Sequence, residues 1–128
     1  MTDRRRAKLI LASLLLTFVV VRLAMWVWPD SDFDVAGYNV HHLFTGVLVL
    51  TASMLPLALG ADAGRAAMLL VAGSGVGLSL VLDEWVYLIV TDGSNASYLL
   101  PVSLWGAVAL HAAVTVAVIA GRWPRRGP

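Results

Sequence analysis

No cysteine occurs in the 128 residues. That excludes a disulfide framework, a thiolate metal site and thiol redox chemistry. Charge is scarce too: 13% of the residues are Asp, Glu, Lys or Arg, 59% are hydrophobic, and the mean hydropathy is +0.82. An average soluble domain is about a quarter charged and about half apolar. A soluble enzyme, a nucleic-acid binder and a disordered chain all fit such a composition poorly. The length admits one domain, or about four membrane spans of ~20 residues with short connections.

Four apolar runs are present, over about 8–28, 39–59, 66–90 and 98–120. Each is long enough for a helix across a hydrocarbon core, whereas a spanning strand needs about half that length. Arg4, Arg5, Arg6 and Lys8 before the first run resemble the basic start of a signal peptide. The apolar stretch is too long for one, and Trp26-Val27-Trp28-Pro29 lacks the small residues of a cleavage site, so a retained span is expected. Turn chemistry separates the runs: Pro29-Asp30-Ser31-Asp32, then Gly60-Ala61-Asp62-Ala63-Gly64, then Asp92-Gly93-Ser94-Asn95. Pro101 falls where the first turn of the last helix is expected, and Pro124 follows its end. The expected fold is all-α, an integral membrane antiparallel four-helix bundle running up-down-up-down in a single domain.

The charges are sorted by connection. Of the nine Lys and Arg, all but Arg22 lie before the first run, at Arg65 in the second connection, or at Arg122, Arg125 and Arg126 after the fourth. The other two connections hold Asp30, Asp32, Asp34 and Asp92 and no basic residue. The positive-inside rule then predicts a multi-pass plasma-membrane protein with both termini cytoplasmic, its partner being the lipid bilayer and not nucleic acid. Trp26, Trp28, Tyr38 and Tyr98 fall at the outer boundary and Trp123 at the inner one, as an aromatic belt would. Small residues mark contact faces: Gly73 and Gly77 at small-xxx-small spacing in the third run, and Ala109 and Ala113 in the fourth. Gly73-Ser74-Gly75-Val76-Gly77 is no phosphate loop, because no strand precedes it.

Six ionisable residues stand inside the runs, where each is costly: Arg22, His41, His42, Asp83, Glu84 and His111. At 1.5 Å of rise per residue, the first five lie within about two turns of the outer end of their runs, while His111 lies past the midplane. Glu84 shares a stripe with Gly73 and Gly77, so it is expected to face a neighbouring helix. His42 aligns with Gly46 and Ser53, and His41 with Thr45 and Ala52; the spacing does not choose between these faces.

Two imidazoles and two carboxylates are ligand types for zinc, iron or manganese, and equally a base and an acid for proton transfer. His41, His42, Asp83 and Glu84 are the candidate ligands, with Arg22 balancing charge. Adjacent helical ligands diverge, so one His and one carboxylate are expected to reach a given ion. The same residues also fit a packing network that fixes helix register, or an ion pathway. These alternatives correspond to a metal or proton site, a structural or partner subunit, and an oligomeric channel or carrier. Haem is disfavoured, because His42 and His111 differ in depth by roughly 15 Å. An interhelical bond to Ser or Thr is the plain role for His111. No nucleophile sits in a hydrolase motif. Asn95-Ala96-Ser97 matches a glycosylation sequon and also a helix cap, and Asp30 to Asp34 fits a weak cation loop or a solvated one.

Asn39-Val40-His41-His42-Leu43-Phe44-Thr45-Gly46 resembles the His-His-x-x-x-Gly segment of a family of small uncharacterised prokaryotic membrane proteins. In that family it is paired with a Gly-rich span ending in Asp-Glu and an aromatic, as in Gly75 to Trp85. The resemblance covers roughly half the chain. It departs at Tyr38-Asn39, where the family often has a further His, and at Gly93-Ser94-Asn95, where it often has Tyr-Trp. The first departure weakens the metal reading. The resemblance implies no activity, only that His41, His42, Asp83 and Glu84 belong together.

Overall fold

The computed structural model describes residues 2–29, 34–35, 38–61 and 63–121. Asp30, Asp32, Asp62, Arg122, Trp123, Pro124, Arg125 and Arg126 lie outside the described residues, as do the side chains of Asp34, Tyr38 and Asn39. Among the described residues, the regular elements are helices and one short strand pairing. In order it forms α1 (Asp3–Val27), β1 (Asp34–Val35), β2 (Tyr38–Asn39), α2 (His42–Ala58), α3 (Gly64–Val90), α4 (Asn95–Tyr98) and α5 (Pro101–Ala120). The two strands pair antiparallel, Asp34 opposite Asn39.

Local chemistry sets these limits. Helix α1 begins five residues before the apolar run, at Asp3, because the Thr2 hydroxyl accepts the Arg5 N–H and Asp3 offsets the basic first turn. Gly60 (φ 97°) and Gly64 (φ 72°) make the tight turn into α3, in a conformation that side chains with a Cβ avoid. The fourth run divides: Pro101 holds Leu100 extended, so Asn95–Tyr98 forms its own turn before α5 starts. Helix α2 starts at His42 rather than at 39 and is 17 residues long, with Pro56 in its last turn. Helices α1, α3 and α5 are long and apolar enough to cross a membrane, and α2 is a shorter apolar helix.

Helix α3 is the hub. It packs on α2, α1 and α5, and α1 also touches α5. Among the described residues, no Cα of α2 comes within 8 Å of α1 or α5. The facing residues give the directions. Gly75 meets Ile10–Leu14 and Asp83 meets Arg22, so α1 runs parallel to α3. Gly73 meets Ser53 and Gly77 meets Gly46 and Leu50, so α2 is antiparallel. Gly106 meets Val86 and His111 meets Ser79, so α5 is antiparallel too. The contact face of α5 therefore runs through Ser103, Ala107 and His111; Ala109 and Ala113 are exposed, contrary to the small-residue expectation.

Polarity is inverted relative to a soluble protein. Ser53, Ser74, Ser79, Ser103, Asp83, Glu84 and His111 are buried, while Leu16, Leu48, Leu69, Ile89 and Trp26 face outward. Such an apolar exterior fits contact with a lipid bilayer, and the small buried residues fit helices that associate by close packing.

Candidate functional site

Asp83 and Glu84 are consecutive on α3, so their side chains leave the helix about 100° apart and meet different neighbours. Asp83 meets Arg22 of α1, Tyr98 of α4 and His42 at the start of α2, and Glu84 meets the first residues of α2 and His41 before it. The approach of α2 depends on glycine: a Cβ on Gly77 would lie 2.5 Å from the Leu50 nitrogen and 2.8 Å from the Gly46 carbonyl oxygen. With the backbones this close, the first turn of α2 comes against residues 83–84. Of the two faces open on α2, the His42–Gly46–Ser53 stripe is the inward one; Gly46 and Ser53 are buried and Thr45 and Ala52 exposed.

The Asp83 half is closed. Arg22 Nε donates to Asp83 Oδ1 at 2.6 Å, Nη1 to the Tyr98 carbonyl at 3.2 Å, and Nη2 to the Asp83 carbonyl and the Ser103 hydroxyl, each at 3.2 Å. The Ser103 carbonyl lies 3.3 Å from the same nitrogen. The guanidinium also stacks over the Tyr98 ring, 4.2 Å from its centroid. Tyr98 donates its hydroxyl proton to Asp83 Oδ2. One arginine thereby joins α1 to α3, α4 and α5, using the planar fork that lysine lacks. The Asp83 side chain is 1% exposed and that of Arg22 12%.

The Glu84 half is more open. Glu84 Oε2 accepts the Leu43 N–H at 2.7 Å, capping an α2 that has no side-chain cap of its own. A carboxylate suits the positive end of a helix. Glu84 Oε1 lies 3.2 Å from His41 Nδ1 and 3.4 Å from His42 Nδ1, and His42 Nε2 lies 2.9 Å from Asp83 Oδ2. His42 thus bridges both carboxylates. The expected divergence of the two histidines does not occur, because His41 is the extended residue before the helix (ψ 140°) while His42 begins it. Both imidazoles are partly exposed. Tyr87 and Tyr98 wall the cluster, edge-on to His41 and His42 and to each other.

All five residues singled out at one depth therefore meet, and His111 stands apart. His111 Nδ1 donates to the Ala107 carbonyl at 2.8 Å, which leaves Nε2 to accept the Ser79 hydroxyl at 3.0 Å in the neutral ring. Comparison with protein families, curated proteins and solved structures finds no match. Among the described residues, no group of three or more His, Asp or Glu is disposed to hold a metal ion.

Three participants escaped the sequence reading. Tyr98 is buried and holds Asp83, although an interfacial tyrosine reads as belt. Ser103 and the Leu43 N–H supply the other contacts. Pro101 was the available signal for Tyr98: it forces a break that turns residue 98 back toward α3.

Proposed function

We propose that the chain is a four-span protein of a plasma membrane, both termini cytoplasmic, whose cluster lies near the outer face and binds an exchangeable proton. The observation that carries the reading is the charge balance. With neutral imidazoles, Arg22 offsets only one of the two buried carboxylates, leaving one net negative charge. A single proton neutralises the group, and a low-dielectric site favours neutrality strongly. The Glu84 half is where that proton sits, because each ring nitrogen of His42 faces a carboxylate oxygen and His41 faces Glu84. The Asp83 half has a packing role, supported by the full set of partners around Arg22.

Potentiometric titration in lipid nanodiscs tests this: wild type is expected to take up one more proton than Glu84→Gln. Identical curves would overturn the proton site, and stoichiometric zinc binding lost in Glu84→Gln would reassign the cluster to a cation. The absence of cysteine makes the topology testable: in intact cells, an impermeant maleimide should label Ala96→Cys and not Ala61→Cys.

A further inference from the structure

We propose that the end of the molecule opposite the cluster is a docking surface for anionic phospholipid headgroups, built jointly by α1 and α3. The inference rests on the reading of these helices as membrane spans. Gly75 packs against Ile10–Leu14, and the two helices run parallel. Arg65 lies ten residues before Gly75, about 15 Å along the helix. The same drop along α1 reaches its first turn, Asp3–Arg6. Arg65 therefore stands level with basic residues about sixty positions away in sequence.

Arg4, Arg5, Lys8 and Arg65 are all exposed. Among the described residues, the ion pairs formed are those of Arg22, His41 and His42, so these four cations have no carboxylate partner there. Arg4 and Lys8 are four apart on one helix face and repel each other. A group of exposed cations near the level where two apolar helices begin complements phosphodiester headgroups, and each such cation strengthens attraction to an anionic leaflet about fivefold. A nucleic acid has the right charge, but the apolar spans hold this patch at the bilayer surface.

The test equilibrates the full-length protein with equal parts phosphatidylglycerol and phosphatidylcholine, purifies it, and measures the retained lipids by mass spectrometry. Wild type is expected to be enriched in phosphatidylglycerol. Arg65→Gln alone should cut the enrichment about fivefold, and the variant with Arg4, Arg5, Lys8 and Arg65 all changed to Gln should retain the bulk ratio. No enrichment in wild type, or enrichment unchanged in the variants, overturns the docking surface. So does charge-dependent binding of RNA with no lipid enrichment. Incorporation into neutral phosphatidylcholine nanodiscs separates the two readings. Wild type and variants that incorporate equally preserve the spans even if docking fails, whereas failure of both to incorporate overturns the spans and the docking together.

Discussion

Asp83 and Glu84 are adjacent, carry the same charge and are both buried, yet their surroundings differ in kind. Asp83 has a permanent cation and a phenol around it besides one ring nitrogen of His42. Glu84 has a backbone N–H and two imidazoles, whose charge depends on a proton. One residue's step of about 100° around α3 decides which neighbours each meets. The difference teaches how a bundle of apolar helices can keep two carboxylates side by side: one is tied off by arginine across several helices, and the other is held by a helix N-terminus and two imidazoles. The Glu84 half also lies against α2, the helix whose only packed helix neighbour among the described residues is α3.

Removing the cation from the closed half gives the largest expected effect. Arg22→Leu strands Asp83 and should destabilise the protein by about 3–5 kcal/mol, read as thermal unfolding in detergent; a change below about 1 kcal/mol would show that Arg22 does not tie the helices. Gly77→Leu attacks the open half through its packing. The added side chain meets the backbone of Leu50 and Gly46, so a loss of about 1–3 kcal/mol is expected. Nuclear Overhauser contacts between His42 and Tyr98 should vanish, while those between Arg22 and Tyr98 persist. If both sets vanish, the two halves are one unit.

Glu84→Gln should cost less, about 0.5–2 kcal/mol, because the amide oxygen still caps Leu43 while the charge at the α2 terminus is lost. A penalty as large as that of Arg22→Leu would erase the contrast between the halves. The smallest effect belongs to a carboxylate in the connection between α3 and α4. Asp92 accepts from the Ser97 hydroxyl and from the Ser94 N–H and hydroxyl, which lower its pKa from 3.8 to about 2. Since the folded value is the depressed one, its stabilisation is present above the ordinary carboxylate range and is lost as pH falls through about 2. Amide exchange at Ser94 and Ser97 should quicken over that acid range, and Asp92→Asn should remove the dependence.

Much of the architecture was legible because burying charge in an apolar run is expensive. That cost brought Arg22, His41, His42, Asp83 and Glu84 to one depth on paper, and the structure brings them into contact. Helix directions followed from short connections. Less legible were features that depend on where a helix stops. His41 escapes the 100° rule only because α2 begins one residue later. Tyr98 turns inward only because Pro101 breaks the fourth run. The face chosen on α5 depends on the bond between His111 and Ser79, a tertiary partner that outweighs the small side chains of Ala109 and Ala113.

The most direct test of the central claim is ¹⁵N nuclear magnetic resonance of the His42 ring in lipid, in wild type and in Glu84→Gln. The proton-site account predicts two protonated ring nitrogens on His42 in wild type and one in Glu84→Gln. A single protonated nitrogen in both proteins, with unchanged shifts, would contradict it.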